Sequence, residues 1–168
     1  MRARRIAVCL GLAAAALLVG GAGAEGDDAR RLVGSWRLVE WTAVDGDGVT
    51  VRPYGDAPQG RLTYGADGSM SLLLFRADRP AFESGDPRRG SDGEVREAFE
   101  GSFTYFGSWE LEGDRVRHAI EACSFPNWTG TVQERLVRWR GDRLVLESPP
   151  VTSGGESKVH TLLWERAE

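Results

Sequence analysis

The chain has 168 residues, which is enough for one domain with a substantial core. It carries 21 Lys and Arg against 25 Asp and Glu, a formal charge of −4, and its arginines are scattered among acids rather than gathered in a stripe. This balance argues against nucleic acid or an anionic membrane surface as a partner.

Residues 1–24 have the order of a secretory signal peptide. Basic MRARR precedes the apolar run IAVCLGLAAAALLVGG, and the small residues AGA precede Glu25. We predict cleavage after Ala24 and a secreted or periplasmic bacterial protein without stable membrane insertion; a retained anchor is the alternative, but the run is short for a span. Cleavage brings the formal charge to −7. It leaves Cys123 as a single cysteine, which excludes an intramolecular disulfide and which we interpret as a packing residue.

We expect residues 25–31 to be a flexible polar leader and residues 32–168 to form one domain. Short runs rich in Val, Leu, Thr, Tyr, Phe and Trp recur along this domain, and several are joined by glycine-containing turns, which predicts β-hairpins. In 115–122 apolar and polar residues alternate, so the strand has one dry and one wet face. The sequence therefore predicts an all-β antiparallel meander. The predicted strands are 35–43, 59–65, 69–76, 103–112, 115–122, 131–140, 143–148 and 157–166.

One helix is predicted between the third and fourth strands, over 91–101. Ser91 and Glu94 match a capping box, and apolar residues follow at helical spacing. The preceding stretch, 76–90, is long, polar and rich in Pro and Gly. We therefore interpret 76–101 as a lid over the opening of a barrel or a plug for one of its ends.

Five sequence blocks resemble, in order, the bacterial and fungal lipocalin-like domain family of the calycin superfamily: LVGSWRLVEW, RPYGDAPQGRLTYGADGSMSLLLFRADRP, AFEGSFTYFGSWEL, FPNWTGT and LLWER. The resemblance covers residues 31–167. It implies an eight-stranded antiparallel up-and-down β-barrel with one short helix in a long loop. In such barrels an arginine of the last strand covers a tryptophan near the start, so the resemblance implies that Trp36 and Arg166 form the structural floor.

The sequence offers few groups for catalysis or metal binding. Its two histidines are His118 and His160, and it lacks a Cys-x-x-Cys pair, a phosphate-binding glycine loop and a Gly-x-Ser-x-Gly elbow. We therefore predict no metal and no cofactor. His118 lies mid-strand between Val116 and Ile120, so an inward imidazole would be neutral and could bind a ligand or act as a catalytic base. A satisfied interior polar residue is the alternative.

Tyr105 and Trp109 are predicted to line the pocket. Both lie on one face of the strand 103–112, and Gly107 between them leaves room for a ligand or for a close approach of two backbones. Ordinary core packing is the alternative for both aromatic residues.

Trp128 and Arg135 complete the predicted ligand-binding set with His118. Trp128 lies in a loop that could border the barrel mouth, and Arg135 comes from a neighbouring strand. Glu121 could join this polar set only if a β-bulge reversed its face, because strict alternation places it opposite His118.

These features predict an exported barrel that binds a small, largely apolar molecule, because a concave apolar interior with a few polar anchors suits that role. An enzyme on the same scaffold is one alternative, an isomerase or hydrolase of a secondary metabolite that uses His118. A filled barrel acting as a structural or interaction module is the other. A continuous internal cavity would favour the first two over the third.

Overall fold

The structure is a computed structural model that describes residues 22–168. The predicted signal peptide lies almost wholly outside the described residues, so its cleavage stays a prediction. None of the helices in 22–168 combines the length and the apolar character that a membrane span requires. The elements in chain order are α1 Ala22–Leu32, β1 Gly34–Asp45, β2 Thr50–Val51, β3 Gln59–Tyr64, β4 Ser69–Phe75, α2 Asp92–Glu100, β5 Ser102–Glu112, β6 Arg115–Cys123, a 3₁₀ turn Pro126–Trp128, β7 Val132–Arg140, β8 Arg143–Glu147, β9 Val151–Ser153 and β10 Glu156–Arg166.

Eight of these strands close into an antiparallel barrel, which confirms the predicted fold class. β1, β3, β4, β5, β6, β7, β8 and β10 pair in that order, and β10 pairs back to β1 from Trp36 opposite Arg166 to Asp45 opposite Lys158. The short strands β2 and β9, which the sequence pattern did not predict, extend β1 and β10 at one end. The tight hairpins β3–β4, β5–β6 and β7–β8 lie at the opposite end, so the barrel has a closed floor and a mouth bordered by the longer connections.

The predicted helix between the third and fourth barrel strands is confirmed as α2. Ser91 is its N-cap and accepts a hydrogen bond from the Glu94 amide, while the Glu94 carboxylate accepts one from the Ser91 amide at 2.7 Å. Both arms of the predicted capping box are therefore formed. None of the residues of α2 is buried, so its cap rather than its packing defines where the helix begins.

Residues 25–31, predicted as a flexible leader, lie within α1, and the end of this helix docks on the barrel floor. The Arg31 guanidinium lies 3.7 Å from the centroid of the Trp139 ring and donates a hydrogen bond to the Gly141 carbonyl at 2.6 Å. Leu32 is completely buried. These contacts fix the end of a polar segment, residues 25–31, whose composition alone predicts a flexible chain.

Trp36 and Arg166 meet at the closed end of the barrel. The Arg166 Cζ atom lies 4.0 Å from the centroid of the Trp36 ring, a distance typical of a stacked guanidinium. The two guanidinium nitrogens donate to the carbonyls of Val33 and Arg31, at 2.6 and 2.5 Å. The Trp36 indole donates to the Leu32 carbonyl at 2.8 Å. Carbonyls that a helix end leaves without partners are therefore satisfied by the floor itself.

Gly34, the glycine of the opening Gly-Ser-Trp, is needed for the same contact. Its φ is +127°, a backbone conformation that L side chains rarely adopt. A Cβ atom there would also collide with a guanidinium nitrogen of Arg166. The motif that opens the first strand is therefore a requirement of the floor and not of the pocket.

Gly107 serves a close backbone approach rather than a gap for a ligand. A Cβ atom at this position would collide with the Ala119 carbonyl of the neighbouring strand. The pairing of β5 with β6 shifts here, because Phe106 pairs with Ala122 while Gly107 pairs with Ile120. Glu121 is the extra residue of this β-bulge and remains exposed.

We predict that Arg166→Lys destabilises the protein. Lysine keeps the charge but loses the planar stack on Trp36 and one of the two hydrogen bonds, so the free energy of unfolding should fall by about 1–2 kcal/mol. Urea unfolding measures this difference. Arg138→Lys, at an exposed arginine of β7, is the matched control and should change stability by less than about 0.5 kcal/mol. Equal effects of the two substitutions would contradict the role of the stack.

Candidate functional site

A cavity of about 200 Å³ occupies the half of the barrel nearer the mouth. Its walls are mostly aromatic and aliphatic, with a few polar groups between them. Among the residues that the structure describes, none of the lining side chains comes from the predicted lid 76–101; the 3₁₀ turn and β9 border the mouth instead. The lining residues are Trp41, Leu72, Leu74, Phe103, Tyr105, His118, Phe125, Trp128, Arg135, Leu146, Ser148, Val151, Thr152, Ser153, His160 and Leu162.

His118 lies at the inner end of the cavity and is completely buried. Alternation in β6 points it inward with Val116 and Ile120, as the sequence predicts. Its Nε2 atom lies 2.7 Å from the Tyr64 hydroxyl, and its Nδ1 atom lies 2.9 Å from the Tyr105 hydroxyl. Two tyrosines from different strands therefore hold the ring from both sides.

The surroundings of Tyr64 decide which way these two hydrogen bonds run. Within residues 27–168, His118 is the one hydrogen-bond partner of the Tyr64 hydroxyl, and Tyr64 is 1 % exposed. Because an unpaired buried hydroxyl hydrogen is costly, Tyr64 donates to Nε2. Nδ1 then carries the proton and donates to Tyr105. The hydroxyl hydrogen of Tyr105, which lines the cavity, is left free to reach a ligand.

All three groups of this set are uncharged near neutral pH. Burial, and after it the charge of Arg135, lowers the pKa of His118 to about 3. Burial raises the pKa of Tyr105 and holds that of Tyr64 well above its ordinary value. Since both ring nitrogens of His118 are occupied, its imidazole is not free to take a proton from a ligand. Tyr105 is therefore the member of the set that can contact one.

A second polar group, formed by Trp41, Ser148 and His160, lines the cavity near β10 and was not assigned from the sequence. The Trp41 indole donates to Nδ1 of His160 at 3.0 Å, so neutral His160 carries its proton on Nε2. The His160 amide donates to the Ser148 hydroxyl oxygen at 2.9 Å, which leaves the Ser148 hydroxyl hydrogen available. Burial, then the charges of Arg135 and Lys158, lower the pKa of His160. Both side chains therefore offer hydrogen-bond donors.

Arg135 reaches the cavity from β7 and is 9 % exposed. Its Cζ atom lies 5.7 Å from the centroid of the Trp128 ring, and its Nη1 atom donates to the Glu134 carbonyl at 2.6 Å. Trp128 packs edge-on against Phe103, with ring centroids 5.0 Å apart. The structure thus brings Arg135, Trp128, Tyr105 and His118 around one cavity.

Trp109 and Glu121, both considered from the sequence, do not line this cavity. Glu121 is the exposed residue of the β-bulge described above. Trp109 is on the inward face of β5, but it lies four residues beyond Tyr105, about 13 Å further along the strand in the direction of the floor. There its indole donates to the Gly65 carbonyl at 2.9 Å and its ring packs on Tyr64. The strand alternation thus predicts the face of Trp109 but not its depth, and this tryptophan packs beneath the cavity instead of lining it.

The described residues hold no group of three or more His, Cys, Asp or Glu side chains placed to bind a metal ion. The free thiol of Cys123 is partly exposed and packs against the core, and burial raises its pKa. A thiol with a raised pKa is a weak nucleophile at neutral pH.

An eight-stranded barrel with a floor tryptophan and a small internal cavity has the architecture of a lipocalin-like protein. The sequence profile of the family described as "Lipocalin-like domain" matches residues 33–167. The chain therefore belongs to this family.

One curated relative is the 4'-hydroxy-3'-methoxypropiophenone carrier protein ppsC of Aspergillus oryzae (strain ATCC 42149 / RIB 40). It is 36% identical over 107 residues, which cover 58% of this chain and 96% of the relative. Among solved structures, a lipocalin-like protein from Bacteroides uniformis ATCC 8492 matches 82% of this chain and 99% of its own. Its TM-score is 0.42 and its identity 14%.

We predict that His118→Gln makes the stability of the protein less dependent on pH. The pKa of His118 falls from its ordinary value of 6.5 to about 3 on folding, so its contribution is present above pH 6.5 and is lost as pH falls towards 3. Each pH unit within this window costs up to about 1.4 kcal/mol. Urea unfolding between pH 7 and pH 5 measures how the free energy of unfolding depends on pH. This dependence should be weaker for His118→Gln than for wild type, and His160→Gln should weaken it less. Parallel slopes for wild type and His118→Gln would contradict a buried neutral imidazole.

Proposed function

We propose that this protein is an exported carrier that binds a small, largely apolar aromatic molecule inside its barrel. The observation that supports this most directly is the cavity of about 200 Å³, walled by aromatic and aliphatic side chains with polar groups at its inner end and side. Such an arrangement is typical of sites that bury a ligand and fix its orientation. A barrel filled by its own side chains would leave no such space.

The size of the cavity favours a single-ring ligand. Its volume of about 200 Å³ is below the roughly 300–1,000 Å³ of common ligand pockets, which leaves little room for a lipid chain or a sterol. The rings of Trp41, Phe103 and Trp128 border the space, so a flat aromatic ligand would meet ring edges and faces.

The relative from Aspergillus oryzae supports a carrier role of this kind. Its name gives 4'-hydroxy-3'-methoxypropiophenone as its cargo, an aryl ketone with one ring and oxygen atoms that accept hydrogen bonds. The donors that face the cavity here, on Tyr105, Ser148 and His160, suit a ligand of that chemistry. The alternative of an isomerase or hydrolase that uses His118 gains no support from the geometry, because both imidazole nitrogens already contact tyrosines.

Export is compatible with the contacts of the fold. The predicted cleavage after Ala24 precedes Arg31 and Leu32, which carry the contacts of α1 with the barrel floor. The mature protein would therefore keep its closed end.

We predict that expression of the full chain in a bacterial host yields a periplasmic or secreted protein whose first residue is Glu25. N-terminal sequencing of the protein from the periplasmic and medium fractions measures this. Recovery only from the cytoplasm, with residues 1–24 retained, would refute export while leaving the binding proposal untouched.

We further predict that purified protein binds 4'-hydroxy-3'-methoxypropiophenone in equilibrium dialysis and that Leu74→Trp weakens this binding at least tenfold. Leu74 lines the cavity, so an indole there fills the space that the ligand needs. Leu73→Trp is the matched control, because Leu73 is the neighbouring residue of β4, on the outer face and 38% exposed. Thermal unfolding checks that both variants are folded. Equal binding by the two variants would place the ligand outside the barrel. If the wild-type protein binds neither this compound nor any of a panel of single-ring aromatic compounds, the carrier proposal is refuted.

A further inference from the structure

The polar groups around the cavity share one chemical property, which is that they donate hydrogen bonds. The Tyr105 hydroxyl, the Ser148 hydroxyl and Nε2 of His160 each have a hydrogen left to offer, as the hydrogen bonds described above require. Arg135 adds a positive charge. None of the lining residues in the described part of the chain is an aspartate or a glutamate.

Arg135 is the one buried arginine among residues 27–168, and its charge meets no carboxylate there. No ion pair of Arg135 occurs in residues 27–168, and its one side-chain hydrogen bond there goes to a neutral carbonyl, that of Glu134. The carboxylate of Glu134 faces the other side of β7 and lies 3.6 Å from Arg117. Glu134, the acidic residue next to Arg135 in sequence, therefore pairs with Arg117 and not with Arg135. Burial of an uncompensated charge is costly, so a guanidinium in this position calls for an anion from outside the chain.

The unpaired N–H groups of Arg135 are accessible from the cavity. In the described residues, the fully enclosed side-chain nitrogens without a partner are Arg117 Nε and Trp164 Nε1, and no nitrogen of Arg135 is among them. A guanidinium has five N–H donors in a planar fork, which matches the two oxygens of a carboxylate. After burial, the charge of Arg135 is the next cause of the lowered pKa of both His118 and His160, which places it within electrostatic reach of both polar groups.

We infer that the ligand of this barrel is an aromatic acid, whose ring lies among Trp41, Phe103 and Trp128 and whose carboxylate pairs with Arg135. This inference rests on the proposed carrier function and adds to it the charge of the ligand. An amine or other cation is disfavoured by the same lining, since it would meet a buried positive charge and no carboxylate. A neutral ketone would satisfy the hydrogen-bond donors but leave the guanidinium uncompensated.

The test compares 3-phenylpropanoate with 3-phenylpropanamide, which has nearly the same shape and no charge. Equilibrium dialysis at pH 7 with the wild-type protein should give at least tenfold tighter binding of the acid. Arg135→Met should remove this preference and bring the affinity for the acid down to that for the amide. Arg138→Met, at an exposed arginine on the same strand, should preserve the preference.

A second readout separates a ligand-binding arginine from a structural one. Because Arg135 is buried without a carboxylate, its replacement by an apolar side chain of similar length should leave the midpoint of thermal unfolding unchanged or higher. A midpoint for Arg135→Met well below that of Arg138→Met would overturn the inference and make Arg135 a structural residue. If that variant does not fold, the inference is overturned for the same reason.

The outcomes distinguish this inference from the carrier function beneath it. Equal binding of the acid and the amide by the wild-type protein would overturn the aromatic acid and leave a carrier of neutral molecules. Binding of 4'-hydroxy-3'-methoxypropiophenone together with failure of both phenylpropanoid probes would do the same. Failure of all three compounds would overturn both proposals.

Discussion

The contact between the Arg166 guanidinium and the Trp36 indole is the constraint on which the rest of the barrel depends. It joins the first strand to the last at the point where the sheet closes, and the same guanidinium also donates hydrogen bonds to two carbonyls at the end of α1. The buried side chains Leu32, Trp36 and Leu62 fill this closed end. The internal space is therefore confined to the opposite half of the barrel, between the His118 group and the mouth.

The strand pattern was readable from the sequence because alternation and glycine turns are local properties. All eight barrel strands and the capped helix were predicted, and the inward face of His118 followed from period two alone. The depth of a side chain in the barrel is not a local property, as Trp109 shows. Its face is set by its own strand, but its position beneath Tyr64 depends on how far the neighbouring strands are staggered.

The second polar group was missed for a related reason. Trp36 and Leu38 point inward, and continued alternation would turn Trp41 outward. The pairing of β1 with β10 shifts between Leu38 and Glu40, so the inward face changes parity and Trp41 enters the cavity. His160 lies on the same face of β10 as Leu162 and Trp164, and this spacing was the one signal that could have revealed it. Tyr64 carried no sequence signal as a partner of His118, because the two residues meet across the barrel interior and not along a hairpin.

The two tyrosines that hold His118 have a consequence for the conditions under which the barrel operates. The pKa of His118 is lowered to about 3, so its imidazole stays neutral above that pH. The pKa values of Tyr64 and Tyr105 are raised, so both phenols keep their protons beyond the ordinary range. Acidification of the surroundings to pH 5 therefore leaves His118, Tyr64 and Tyr105 uncharged. Ligand binding would then respond to the concentration and ionisation of the ligand, while acidity would act on the protein through its stability and not through the charge of the His118 group.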